Sequence, residues 1–115
     1  MGKYERLLQE ILVECDEDHV GLWSIVHAVR WELGEKDPVK VRQLTMRLVE
    51  DLLRQTNMAA GFPTNDGKGF TPWSSTRDET LARINREWDL LGREPSLGEI
   101  VWFTTLRVRD GGQVL

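Results

Sequence analysis

Side chains able to do metal or acid–base chemistry are few in this sequence. His19 and His27 lie eight residues apart, whereas two histidines of a helical metal site lie one turn apart. An acidic cluster could gather around a cation, and its members are Glu14, Asp16, Asp18 and His19. A solvated acidic turn that caps a helix is the commoner meaning of such a cluster. We therefore predict neither a metal site nor a cofactor.

Nucleophilic catalysis and phosphate binding have no better support. Cys15 is the only cysteine and falls on the apolar side of a predicted helix, where a thiol is usually buried and inert. Gly67, Lys68 and Gly69 form a turn rather than a phosphate-binding loop, because no strand and helix frame them. The sequence also lacks the Gly-x-Ser-x-Gly motif of a serine nucleophile. We therefore predict that the protein is not an enzyme.

Basic and amide side chains line one side of a helix predicted over residues 38–55. They are Lys40, Gln43, Arg47 and Arg54, with Lys36 and Arg42 close by, and Lys68 follows at the tip of a predicted hairpin. Arginine and glutamine read guanine and adenine edges, and a lysine at the hairpin tip could contact phosphate. Glu50 and Asp51 dilute this stripe, and a net charge of -4 argues against a large nucleic-acid surface. DNA is therefore the alternative partner.

Five tryptophans among 115 residues are candidates for a protein interface. Trp88 falls on the apolar stripe of its helix, which favours a place in the core. Trp31 lies beside a stripe and Trp73 follows a proline at the end of the hairpin, so we expect these two as exposed anchors. Tryptophan and arginine are the usual hot-spot residues of interfaces. Arg30, Trp31 and Trp73 would form a binding patch if the fold brings them together.

An acidic run at the end of the first helix would suit a basic partner. Asp16 and Asp18 belong to this run and would attract such a partner by electrostatic steering. Small acidic inhibitors of toxins or nucleases have a similar charge balance, although no motif here identifies one. We therefore predict a non-enzymatic binding module, either a protein–protein interaction module or an inhibitor- or immunity-type small acidic protein.

Composition sets the class of protein. A chain of 115 residues, 40% hydrophobic and 30% charged, has the size and balance of one globular domain. A single cysteine excludes an internal disulfide, and no apolar run approaches the roughly 20 residues that span a bilayer. Without a secretory signal at its start, the protein is expected in the cytoplasm, with no membrane contact. A homodimer is possible if the apolar stripe of the first helix is not fully buried.

The fold class predicted from apolar spacing is α+β, mainly helical, with residues 1–115 in a single domain. The predicted elements are helices at about 3–15, between Asp18 and Gly34, and at 38–55, a hairpin at 58–73, a helix from Ser74 or Ser75 to Gly92, and a closing strand at 100–108. Residues 109–115 should be frayed. Candidate N-caps are Asp18, Asp37, and Ser75 or Thr76, with Asp78 or Glu79 completing a capping box. Pro63 and Pro72 should hold the hairpin at a sheet edge.

The order of these elements resembles a winged-helix domain over about residues 18–73. The resemblance is carried by the helix pair, by the hairpin, and by residues 52–61, Leu-Leu-Arg-Gln-Thr-Asn-Met-Ala-Ala-Gly, which look like a helix-to-wing passage. It implies a DNA-binding regulator that uses the 38–55 helix and the 58–73 hairpin, and such regulators usually dimerise. Residues 70–73 and the segment from Glu87 through Phe103 resemble parts of small bacterial proteins, which implies no function.

Overall fold

The computed structural model describes residues 2–106, and its fold is α+β and mainly helical, as predicted. Its elements are α1 Lys3–Glu17, β1 Val20–Gly21, α2 Leu22–Trp31, α3 Pro38–Leu53, β2 Met58–Pro63, β3 Phe70–Pro72, α4 Arg77–Leu91 and β4 Trp102–Thr105. None of the helices in this range has the length and apolar character needed to cross a bilayer. The predicted fraying of residues 109–115, and the end of the predicted 100–108 strand, lie outside the described residues.

Two helices begin at capping residues that the sequence analysis proposed. The Asp37 carboxylate accepts a hydrogen bond from the Val39 amide at 3.0 Å, with Pro38 in the first turn of α3. Thr76 and Glu79 form the capping box of α4, in which each side chain accepts a hydrogen bond from the other's backbone amide. Helix α4 therefore starts slightly later than the predicted Ser74 or Ser75.

The prediction that Asp18 caps α2 is wrong. Gly21 occupies the N-cap position without a side-chain hydrogen bond, while the Asp18 carboxylate accepts from the adjacent His19 amide at 2.7 Å. Val20 and Gly21 instead form β1, a strand that the sequence analysis did not predict. Two residues are too few to display the alternation by which a strand is recognised.

The four strands form one antiparallel sheet in the order β1-β4-β2-β3. Strand β4 was expected as the closing strand, and it lies in the interior of the sheet. Its Phe103 is fully buried and pairs with Val20 of β1 on one side and Ala60 of β2 on the other. The C-terminal part of the described chain therefore joins the hairpin to the first two helices.

The predicted hairpin is present, but of its two strands only β3 lies at an edge of the sheet, because β2 pairs with β4 on its other side. Pro63 falls beyond the part of β2 that pairs with β4, so its missing amide leaves that pairing intact. Gly61 has β4 on one side and β3 on the other, and a Cβ built there would lie 2.1 Å from the carbonyl oxygen of Thr71. This close approach of two backbones requires glycine.

The hydrophobic core draws on all four helices and on the sheet. Trp88 is buried in it, as predicted, together with residues from every helix. The apolar stripe of α1 packs into this core through the buried Leu7, Ile11 and Cys15, while its Tyr4, Leu8 and Leu12 are only partly buried. Thr45 of α3 is fully buried, although it is a polar residue.

Candidate protein-binding site

Trp31 ends α2 and stands beside a groove between α1 and α2. Its side chain is 74% exposed, in agreement with its predicted place beside the apolar stripe. The groove encloses about 240 Å³ and is also lined by buried aliphatic side chains from α1, β1 and α2, namely Leu7, Ile11, Val20 and Ile25. An exposed indole at an apolar groove presents a large surface that a partner could bury.

Two carboxylates, Glu14 and Glu32, line this groove, and a third, Glu10, lies beside Glu32. Glu10 and Glu14 lie one turn apart on α1, and Glu32 follows Trp31 directly. The pKa of Glu32 is raised above its usual value, first by partial loss of solvent, then by the charge of Glu10, by a side-chain hydrogen bond with Glu10 and by the charge of Glu14, while His27 acts in the opposite direction. This carboxylate rim is therefore a region of mutual repulsion between negative charges.

No basic side chain in residues 2–106 forms a salt bridge with any of these three carboxylates. Lys3 and Arg6 lie in a depression that Glu10 and Glu32 also line, and Arg6 shares a second depression with Glu10 and Glu14. A cation supplied from outside would relieve the repulsion on this rim.

The surface continues from the groove along α1. Val13 is 55% exposed and shares a further depression with Glu10 and Glu14. The His27 ring lies 5.9 Å from the Trp31 ring, centroid to centroid. We call this continuous surface the α1–α2 face, and it consists of Glu10, Val13, Glu14, His27, Trp31 and Glu32.

The other predicted anchors do not join this face. The Arg30 guanidinium forms a salt bridge with Glu94 and donates to the Lys36 carbonyl at 3.1 Å. Trp73 is partly buried, with the Arg83 guanidinium 3.7 Å from its ring centroid. Within residues 2–106, no ring contact or hydrogen bond connects Arg30 or Trp31 with Trp73, so the predicted three-residue patch is not assembled.

The acidic run at the end of α1 is divided between two surfaces. Glu14 belongs to the α1–α2 face, whereas Asp16 and Asp18 line a separate cleft of about 270 Å³ with Lys68 at the hairpin tip. His19 lies in the same cleft, its ring 5.2 Å from that of Phe70. Nowhere in the described part of the chain do three or more His, Cys, Asp or Glu side chains come together in a way that could hold a metal ion.

Two of the arginines predicted to contact DNA form salt bridges with carboxylates of the protein itself. Arg42 binds Asp89 of α4 at 2.8 Å and lies over the Trp88 ring at 5.0 Å. Arg54 pairs with Glu50 and Asp51 of its own helix, at 3.0 and 3.5 Å. These pairs leave less positive charge on α3 for a phosphate backbone.

The remaining candidates for DNA contact are separated. Lys40 and Gln43 are exposed on α3, and Arg47 lies over the Tyr4 ring at 4.4 Å. Lys68 faces Asp16 and Asp18 in the cleft at the hairpin tip. The fold therefore does not extend the basic side of α3 onto the hairpin tip.

Sequence reasoning missed four members of the face: Glu10, Val13, His27 and Glu32. The spacing of Glu10 and Glu14 on one side of α1 was a usable signal, because residues four apart are neighbours on a helix. The approach of Glu32 to Glu10 had no local signal, since it depends on how α1 and α2 pack.

No protein-family model matches the chain, and comparisons with curated proteins and with solved structures likewise find no match. The winged-helix resemblance therefore stays a prediction, and the function is inferred from the surface itself.

Proposed function

We propose that the protein is a non-enzymatic protein-binding module that docks its partner on the α1–α2 face. The observation that carries the proposal is the exposed Trp31 indole, which stands between an apolar groove and carboxylates that form no salt bridge with any basic side chain of residues 2–106. A tryptophan contributes most to an interface when its side chain is exposed in the unbound protein and becomes buried in the complex. An inhibitor of the immunity type, which binds a basic protein and covers its active site, is one form of this function.

Binding is favoured over catalysis by the contacts around the groove. Ser24 and His27 both line it, yet no hydrogen bond joins the hydroxyl to the imidazole. An activated serine needs such a bond to its base. The Cys15 thiol is also a poor nucleophile, because burial raises its pKa to about 12.

DNA binding through α3 is the alternative, and it has weaker support. Lys40 and Gln43 are exposed and could read or position DNA, but Arg42 and Arg54 are held by carboxylates. Measured binding to DNA that weakens steeply with added salt, and that Lys40→Ala with Arg47→Ala abolishes, would favour this alternative over the proposal.

The test is capture of the partner from the native host by three forms of the tagged protein. These forms are the wild type, Trp31→Ala, and Leu90→Ala as the control. Leu90 is 81% exposed on α4 and does not line the α1–α2 groove, so the control removes an equally accessible apolar side chain from another surface. Circular dichroism of both variants checks that each is folded.

We expect one stoichiometric protein to be retained by the wild type and by Leu90→Ala, and to be lost with Trp31→Ala. Equal capture by all three forms would overturn the proposed interface. Capture of nucleic acid alone would shift support to the DNA-binding alternative.

A further inference from the structure

We infer that the α1–α2 face receives an arginine of the partner, whose guanidinium lies on the Trp31 indole and pairs with Glu14 and Glu32. The inference rests on the proposed function and specifies the chemistry of the partner. Apolar neighbours of this arginine would cover the aliphatic floor of the groove at Leu7 and Ile11.

Charge selects a cationic occupant. Glu14 and Glu32 line the groove, and Glu10 lies beside Glu32. Lys3 and Arg6 line neighbouring depressions, but no basic side chain of residues 2–106 forms a salt bridge with these three carboxylates. A second copy of the chain would bring the same three carboxylates against the first three, and like charges face each other at a cost. Nucleic acid is disfavoured for the same reason.

The chain itself contains the proposed arrangement at another position. Trp88 is followed by Asp89, and Arg42 lies over the Trp88 ring at 5.0 Å while it binds the Asp89 carboxylate at 2.8 Å. Trp31 is followed by Glu32 in the same way, but no arginine of the described chain occupies that position. The second tryptophan–carboxylate pair is therefore open to an arginine from another molecule.

Arginine fits this position better than lysine. A planar guanidinium can stack on an aromatic ring and still donate two parallel hydrogen bonds to a carboxylate. Arg83 over Trp73 at 3.7 Å, and Arg47 over Tyr4 at 4.4 Å, repeat the stacking within this protein. The groove volume of about 240 Å³ lies below the roughly 300–1,000 Å³ of small-molecule pockets, which favours a side chain over a metabolite.

The experiment uses short blocked peptides as probes and the Trp31 indole as the reporter. The probe is acetyl-Leu-Arg-Leu-amide, and its neutral counterpart carries citrulline in place of arginine. Each is titrated into the full-length, isotope-labelled protein, and the indole N–H resonance of Trp31 is assigned by its loss in Trp31→Phe. A third peptide with lysine tests the preference for a guanidinium.

We expect the arginine peptide to shift the Trp31 resonance with a dissociation constant of about a millimolar, as suits so small a contact. Binding should weaken about fivefold or more with citrulline and less with lysine. The variant Glu14→Gln/Glu32→Gln should bind the arginine peptide more weakly by a similar factor. The control Glu50→Gln/Asp78→Asn removes two carboxylates elsewhere and should bind the peptide as the wild type does.

Three results of the titration would overturn the inference. They are equal binding of the arginine and citrulline peptides, no shift of Trp31 at peptide concentrations up to about 10 mM, and a Trp31 shift that depends on protein concentration without peptide. The last result would identify a second copy as the occupant. If partner capture needs Trp31 but is unaffected by Glu14→Gln/Glu32→Gln, the proposed function stands and the arginine inference fails.

Discussion

Exchange of threonine for valine should have opposite effects at two buried positions, Thr45 and Thr104. Thr45 of α3 is fully buried, and its hydroxyl has no hydrogen-bond partner among the described residues. The Thr104 hydroxyl of β4 lies 3.2 Å from the carbonyl oxygen of Cys15 and 3.3 Å from that of Asp18, at the end of α1. Valine has nearly the shape of threonine, so each exchange removes a hydroxyl without opening a cavity.

The magnitudes follow from these contacts. A buried hydroxyl without a partner costs about 1–3 kcal/mol, so Thr45→Val should raise the free energy of unfolding by about 1 kcal/mol. With an unfolding entropy of about 2.1 cal/mol/K per residue, that gain raises the Tm of this 115-residue chain by about 4 °C. Thr104→Val leaves terminal carbonyls of α1 without a donor and should lower the Tm by about 4–8 °C.

Calorimetry and urea unfolding measure both changes. Thr45→Ser serves as the control because it keeps the hydroxyl and deletes the methyl group, and it should destabilise the protein by about 1 kcal/mol. A Tm that stays the same or falls in Thr45→Val, with an unchanged urea slope, would refute the reasoning, since the hydroxyl would then have a partner such as a buried water.

Three further outcomes can be measured on the isolated protein. Cys15 is buried, and its pKa is raised to about 12, chiefly by desolvation. Alkylation of this thiol at pH 8 should therefore proceed only through unfolding of the protein, and rapid labelling of the native protein would contradict this. The pKa of Glu99 is lowered from 4.5 to about 2, chiefly by its hydrogen bond from Arg93. Because the pKa is lower in the folded state than in the unfolded state, Glu99 contributes stability above about pH 4.5 that is lost as the pH falls towards 2. Glu99→Gln should therefore flatten the dependence of Tm on pH in that window. Parallel curves of Tm against pH for the variant and the wild type would disprove this. Gly61→Ala should destabilise the hairpin by about 2 kcal/mol or more, because its Cβ would meet the Thr71 carbonyl oxygen at 2.1 Å, and an unchanged urea midpoint would argue against that close approach.

Local signals predicted much of the fold. The Asp37 cap and the Thr76–Glu79 capping box fixed the starts of α3 and α4, because capping depends on residues within one turn. The interior position of β4 could not be predicted in this way. It depends on pairing between Phe103 and residues more than 40 positions away in the chain, and strand order leaves no local pattern.

The candidate site was predicted only in its most local feature. Trp31 was expected to be exposed because it lies beside an apolar helical stripe, and it is. Arg30 was expected in the same patch, but its salt bridge is with Glu94, 64 residues later in the chain. The carboxylate rim also escaped prediction, because Glu32 meets Glu10 only through the packing of α1 against α2.

Site-specific photocrosslinking in the native host tests the proposed interface most directly. The photoreactive residue p-benzoylphenylalanine would replace either Val13, which is exposed on the α1–α2 face, or Leu90, which is exposed on α4. Neither substitution alters Trp31 or its carboxylates. We expect one discrete covalent adduct with a protein partner from position 13 and none from position 90. An adduct from position 90 alone, or none from either position, would contradict docking on the α1–α2 face.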